Sequence, residues 1–522
     1  MVDHLGVVIE IVEILHGSLD AAFPFWDAVG KFRCLPASSS LFYLHRPVFN
    51  LNPVPVFRFR IALPYLAAGL LAAAGASRAA PESALPPIDP WRYTEDYSYL
   101  DDPDRRSGAW GEAGKWIRLG DGATLTLGAE LRLRYERYRD NEFGDAAVPD
   151  EGYQLYRFLP YADLRLGSHV RAFTQLNLAH AERDAGSIGP PDDTGNDVLQ
   201  AFVDVSFPAA DGAWTLRAGR QVMAYGSERL ISARYGPNVL RSFDGGMASW
   251  QGPGLRVDAF FTRPVRNDPD DFSDRADRQR RLAGLYATWT EPWNAAGTGL
   301  DAYLLSLSND EARYDQGSGP ETRNALGLRH FGQRGGWRWD LEGVYQYGSF
   351  AGAPARAWSL ASDTSYTFRD TPLRPRLGLK ANIISGDRNP DDPALQTFNV
   401  FFPKGKYFGE AGLIGPANLI NLHPSLTLDL GSGWTLGTAA IFYWRQSLRD
   451  GVYGVAGNQL RPAGDSRARY IGTQADVVLG WGVSRNLSFE AAYSVFRPGA
   501  FIRETGRADT VHFFGLEALW RY

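Results

Sequence analysis

Cysteine is nearly absent: Cys34 is the only one in 522 residues. It falls inside an expected N-terminal leader, so the mature chain should hold no disulfide and no thiolate metal site. Methionine is scarce, at 3. Long hydrophobic runs are missing as well. Mean hydropathy is −0.28, and no ordinary stretch reaches the roughly 18 apolar residues of a membrane helix, which excludes a helical membrane bundle. Charge of one sign is not in excess, and a net charge of −5 argues against nucleic acid as a partner. After the leader only His169, His180, His330, His423 and His512 remain, and none is paired at metal-ligand spacing. No phosphate-cradling glycine loop is present. No Ser–His pair with an orienting acid can be assembled, which counts against a barrel-embedded hydrolase. No cofactor is implied beyond calcium on loop carboxylates such as Asp391 and Asp392.

The leader is legible in "RFRIALPYLAAGLLAAAGASRAAPE". Arg58 and Arg60 precede an apolar run from Ile61 to Ala76, and the small residues Ser77 and Ala79 stand at −3 and −1. This predicts a signal peptide over 56–79, cut after Ala79. Residues 1–55 then read as upstream sequence from a wrong start. No Met lies between Met1 and Met223, so initiation is expected at an alternative codon read as Val54 or Val56. Residues 80–114 are expected to be a periplasmic N-terminal segment, and 115–522 the main domain.

What is abundant is glycine, at 56, and aromatics, at 13%. From about residue 115 the hydrophobic period is two. "TLTLGAELRLRYERY" alternates Leu125, Leu127, Ala129, Leu131, Leu133 and Tyr135 against Thr126, Gly128, Glu130, Arg132, Arg134 and Glu136. "WRWDLEGVYQY" and "RLGLKANI" do the same, and so does the closing "HFFGLEALWRY". About eighteen such segments are expected, beginning near 124, 153, 169, 197, 214, 245, 254, 280, 299, 323, 337, 356, 375, 422, 434, 469, 486 and 509. Short turns alternate with longer polar connections at 139–152, 184–196, 226–244, 265–279, 310–322, 387–421, 447–467 and 497–508. The connection at 350–356 alone is short on the long side.

Segments of ten or more residues can cross a bilayer when tilted. Alternating short and long connections are what an up-and-down barrel with two unlike ends produces. Aromatics sit at segment ends (Trp214, Tyr225, Trp289, Trp293, Trp337, Trp434, Trp444, Trp481, Trp520), as interfacial girdles do. The expectation is an all-β transmembrane antiparallel barrel of the outer-membrane type. It would be monomeric, in the outer membrane of a Gram-negative-type cell, with both ends of the mature chain in the periplasm. The aromatic C-terminal strand resembles the signal that such barrels present to their insertion machinery.

By register, the lumen is charged with mixed sign. The candidate pore or substrate-binding cations on that face are Arg132, Arg134, Arg157, Arg165, Arg217, Arg256, Arg338, Arg376, Lys380 and Arg445. Arg171 and Arg329 also fall on this face, against acids including Glu130, Asp163, Asp204, Asp258, Asp340, Glu342 and Asp476. A guanidinium holds a carboxylate bidentately and is always charged, so a series of them suits passage of anions. The plain alternative is that opposite charges pair across strands and only fill the lumen. An eighteen-strand barrel would leak unless narrowed. The segment 387–421 is expected to fold inward, and 219–245 is a second candidate. Three uses compete: a channel for anionic saccharide or polysaccharide, a general porin for small carboxylates, and a surface adhesin, for which the loops are modest.

Three stretches carry a family resemblance: "GRQVMAYGSERLISARYGPNVLRSFDG" (219–245), "SGDRNPDDPALQTFNVFFPKGKYFGEAGLIGPANLINLHPSL" (385–426) and "FYWRQSLRDGVYG" (442–454). They resemble the alginate export family of outer-membrane porins, over roughly 115–522. That resemblance implies an eighteen-strand barrel, and its founding members secrete an anionic polysaccharide through an arginine-lined pore. It lends weight to Arg220, Arg229, Arg241, Asp244, Asp387, Arg388, Asn418 and Arg445.

Overall fold

The computed structural model describes residues 88–186, 188–209, 211–290 and 297–522. The upstream segment 1–55 and the signal peptide 56–79 lie outside the described residues, as do 80–87.

Eighteen strands form one closed antiparallel barrel. In chain order they are β1 (Ala123–Arg139), β2 (Glu151–Leu166), β3 (Val170–Arg183), β4 (Gly195–Ala209), β5 (Gly212–Gln221) and β6 (Phe243–Gly252). Next come β7 (Leu255–Arg266), β8 (Arg280–Trp289), β9 (Thr298–Tyr314), β10 (Gly317–Arg334), β11 (Trp337–Phe350) and β12 (Ala353–Thr367). The last are β13 (Arg376–Ile384), β14 (Leu419–Gly431), β15 (Trp434–Arg445), β16 (Tyr470–Gly482), β17 (Leu487–Pro498) and β18 (Val511–Arg521). β18 closes on β1 in the register Glu130↔Arg521 to Arg139↔His512. Closure satisfies the backbone internally, which hydrocarbon demands.

The two-residue rhythm has its expected cause. Leu127, Phe261, Leu326, Leu341, Leu377 and Leu516 point outward and are exposed, while their neighbours Glu130, Arg132, Asp204, Asp258, Asp301 and Glu342 point inward and are buried. At the end with short turns, Trp434 stacks on Trp481 at 4.9 Å and Trp337 meets Tyr366 at 5.0 Å. Two details depart from expectation. β9 and β10 run on to a tight turn at 315–316, so the polar stretch 310–322 is a paired hairpin and not a long connection. Beyond the bilayer the outward face of the ladder meets water and turns polar, so the apolar rhythm fades in the sequence, while the inward Ala312 and Tyr314 stay buried against Leu395 and Val400 of the second infolded loop. Tyr225 is not a girdle residue: it lies in the lumen, stacked between Phe260 at 5.5 Å and Tyr286 at 4.7 Å. Trp293 lies outside the described residues.

Two connections fold inward, as expected for 387–421 and for the second candidate. The β5–β6 connection (222–242) and the β13–β14 connection (385–418) meet inside the barrel. Phe402 donates its amide to the Leu230 carbonyl at 2.9 Å and accepts from the Ser232 amide at 2.9 Å. Lys404 donates its amide to Glu228 at 3.1 Å. Leu230, Ile231, Phe398, Phe402, Phe408 and Ile414 build an apolar core there against wall residues such as Phe243 and Tyr443. The fold therefore has a packed interior in its loop half and open space toward its short-turn end.

The β15–β16 connection (446–469) is tied to the second infolded loop through Asp450. Its carboxylate accepts from Thr397 Oγ1 at 2.6 Å, Tyr453 OH at 2.6 Å and the Asp387 amide at 2.8 Å. Burial nonetheless pushes its pKa up to about 6. A carboxyl raised in the folded state stabilises most while protonated, below its ordinary value, and that stability is lost as pH rises through about 6. Lowering pH from 7.5 to 5 should therefore quiet loop-dependent current fluctuations in a planar bilayer. Asp450→Asn should abolish that pH response, and an unchanged response in the variant would refute the assignment.

Residues 88–116 lie at the short-turn end. They form single-turn helices such as Arg92–Thr94 and Ser98–Asp101. A short strand, Ile117–Gly120, then pairs with β1 in the register Ile117↔Leu125 to Gly120↔Ala123. Pairing of β1 with β18 begins only at Glu130, so this strand covers the part of the β1 edge that β18 does not reach.

Candidate functional site

Two cavities open in the short-turn half of the lumen. The first, about 910 Å³, is walled by β2–β8 together with Trp91, Tyr93 and Trp116 of the N-terminal segment. It presents Arg165, Arg171, Arg217 and Arg256 beside Asp204 and Asp258. The second, about 610 Å³, is walled by β10–β16 and the tips of both infolded loops. Gly226 lines both, so they adjoin at the tip of the first loop. Its backbone is left-handed (φ 56°) and a Cβ there would stand 2.5 Å from Tyr286 OH, so only glycine fits.

Arg229 forms a crossbar between the loops. It donates to Tyr407 OH at 2.7 and 2.9 Å and pairs with Asp340 at 3.2 Å and with Glu342. Tyr407 in turn donates to Asn382 Oδ1 of β13 at 3.3 Å. Burial pushes the Tyr407 hydroxyl up to about 12, partly offset by Arg229. Lys404 lies 5.4 Å from the Tyr407 ring, and burial holds its ammonium below the usual lysine range.

The sequence-nominated cations divide by what they touch. Arg338, Arg376 and Lys380 all line the second cavity. Arg338 has no ion-pair partner among the described residues, Arg376 donates only to Thr427 Oγ1 at 3.2 Å, and Lys380 stands 3.8 Å from Asp363. Arg165, Arg217 and Arg256 line the first cavity. Arg217 is held bidentately by Asp204 at 2.7 and 2.8 Å, Arg256 pairs with Asp258 at 2.9 Å, and Arg165 lies 3.5 Å from Asp163.

The remaining six serve to hold loops. Arg132 donates to the carbonyls of Tyr235, Gly236 and Pro237, at 2.7 to 3.1 Å. Arg134 donates to Gly236 O at 2.8 Å, and Arg157 to Tyr235 O and Pro237 O at 3.1 Å while pairing with Glu130 at 2.7 Å. Arg220 grips Asp244 of β6 at 2.8 and 3.1 Å and donates to the Asp274 carbonyl of the β7–β8 connection at 3.0 Å. Arg241 packs its guanidinium 5.0 Å from the Phe402 ring. Arg445 is not in the open lumen: fully buried, it donates to the carbonyls of Leu448, Asp450, Ser466 and Ala468. Asn418, also singled out by the motifs, clamps Ser447, Asp450 and Gly451 in the same way. These motif residues are thus largely loop fasteners.

Sequence reasoning missed Lys404 and Lys406, which sit in a non-periodic loop where register gives no signal; "FFPKGKYFG" was the available hint. His423, on β14, also lines the second cavity, with its Nδ1 buried and unpartnered. The calcium expectation is not supported: Asp391 faces Arg449 at 3.4 Å, and Asp392 accepts from Asn389 at 2.8 Å. Among the described residues no group of three or more His, Cys, Asp or Glu is placed to hold a metal ion.

A family model for alginate export matches residues 123–515. No curated protein matches the chain in sequence. Solved structures share the fold. Pseudomonas aeruginosa OccK2 (OpdF), solved in complex with glucuronate, is 12% identical with a TM-score of 0.50, over 76% of this chain and 97% of that one. OccK9 (OpdG) of the same organism is 15% identical with a TM-score of 0.50, over 78% and 99%. No helix among the described residues is long and apolar enough to cross a membrane; the strands cross it. A closed eighteen-strand barrel with an apolar exterior and a charged, cavity-bearing interior is an outer-membrane channel of a Gram-negative cell, and by its match over nearly the whole barrel the chain belongs to the alginate export family.

Proposed function

We propose that this barrel passes anionic saccharides, polyuronates such as alginate among them, by diffusion along a basic wall in the second cavity. One contrast carries the reading. Nearly everywhere else in the lumen a cation is bonded to an acid or to a loop carbonyl. On this wall Arg338 and Arg376 have no ion-pair partner among the described residues, and Lys380 and Lys404 stand beside them. A guanidinium fork matches a carboxylate, and a row of partly hydrated cations allows hand-over without trapping. Glucuronate, the sugar acid present in the OccK2 complex, makes hexuronates the natural probe. The protein acts as a single barrel, delivered by the outer-membrane insertion machinery through its aromatic last strand.

The test is reversal potential across a planar bilayer under a salt gradient, followed by addition of trigalacturonate. Anion preference and a concentration-dependent block are expected. Cation preference, or current indifferent to the oligosaccharide, would overturn the proposal.

A further inference from the structure

The first cavity has a wall that is not barrel. Tyr93 is carried into the lumen by the N-terminal segment, where its ring meets Phe202 at 5.8 Å and Phe173 at 6.2 Å, and the Arg217 guanidinium lies 4.7 Å from it. Its carbonyl accepts from Arg171 at 2.7 Å. Trp91 packs edge-on against Tyr235 of the first infolded loop at 6.3 Å. Both rings line the cavity. The segment is fastened firmly enough to be a wall. Arg92 donates to the main-chain oxygen of Tyr522 at 2.6 Å and to Tyr161 OH at 3.3 Å. Lys115 donates to Leu127 O at 2.5 Å and to Tyr161 OH at 3.2 Å, within 5.2 Å of the rings of Tyr97, Tyr161 and Tyr522.

The same cavity holds Tyr225 and Tyr286, and the half-exposed guanidinium of Arg256. Aromatic faces offer the C–H face of a pyranose a flat apolar platform, and a guanidinium takes its carboxylate. An acyclic anion could use only the second of these. We propose that Trp91 and Tyr93 are solute-contacting residues of this channel, and that they make the first cavity prefer ring-bearing sugar acids over acyclic anions of equal charge. This rests on the reading of the barrel as a path for anionic saccharides.

The test compares trigalacturonate with the acyclic tricarballylate as blockers of single-channel current. In Trp91→Ala/Tyr93→Ala the dwell time of trigalacturonate should fall about tenfold, the equivalent of about 1.4 kcal/mol. That of tricarballylate should stay put. Trp91→Phe/Tyr93→Phe should restore the sugar block. Heat-modifiable mobility on a gel confirms a folded barrel in each variant. Equal loss for both blockers, or no loss for either, overturns the proposal and leaves the basic-wall reading intact. A wild-type channel that trigalacturonate does not block overturns that reading and this inference together.

Discussion

Replacing Arg157 by leucine should raise single-channel conductance severalfold. Arg157 is fully buried and so does not line the pore. Its guanidinium pairs with Glu130, holds two carbonyls of the first infolded loop and covers the Tyr235 ring at 4.5 Å. Glu130 is itself buried and also accepts from Tyr235 OH and Arg521. Removing one member of such a network leaves a buried charge short of partners, at a cost of about 3–5 kcal/mol. Because the loop carbonyls lose a donor at the same time, the loss falls on the seating of residues 222–242, and through their pairing with Phe402 on the second loop. Arg157→Lys keeps the charge but not the fork and should give an intermediate conductance. Conductance in planar bilayers checks this, with heat-modifiable mobility reporting a closed barrel. A folded Arg157→Leu barrel of native conductance would contradict the loop-anchor role.

Reversing the basic wall should change the ions the channel prefers. In Arg338→Glu/Arg376→Glu/Lys380→Glu every change falls on the second cavity, and none of the three residues anchors a loop. A fixed charge in water is worth about 1 kcal/mol at ~4 Å. Several acting together should shift permeability ratios by about tenfold or more, from anion to cation preference, at low salt. Screening shortens their reach to about 3 Å at 1 M, so the difference should shrink there. Reversal potentials at both salt concentrations read this directly. Retained anion preference at low salt would remove these residues from the conduction path.

The fold was nearly all legible because lipid outside and water inside impose a local, period-two rule. Seventeen of the eighteen strands begin within about three residues of where that rule places them, while β10 begins at Gly317 and not near 323. Legibility failed at 315–316, where hydrogen bonding outlasts the hydrocarbon that enforces the rhythm. The site was legible only as a class of residue. Arg132 and Arg376 occupy equivalent inward positions, and nothing local distinguishes them. One is covered by a loop that arrives from more than a hundred residues away, with Arg132 reaching Gly236 at a separation of 104, and the other is not. Arg445 shows the same limit more sharply, since its carbonyl partners belong to a connection without periodicity. Lys404 and Lys406 went unseen for that reason too.

The short strand Ile117–Gly120 has a consequence for assembly. Its partners on β1 are only a few residues away in sequence, so the hairpin can form in about 1–10 μs. The contact that seals the barrel, Arg521 with Glu130, spans 391 residues, so closing it costs more chain entropy than closing that hairpin. Until it closes, β1 would otherwise present an open edge, the usual nucleus of aggregation. The nascent chain carries its own temporary guard for part of that edge, and the guard stays in place as permanent structure once the cylinder is sealed.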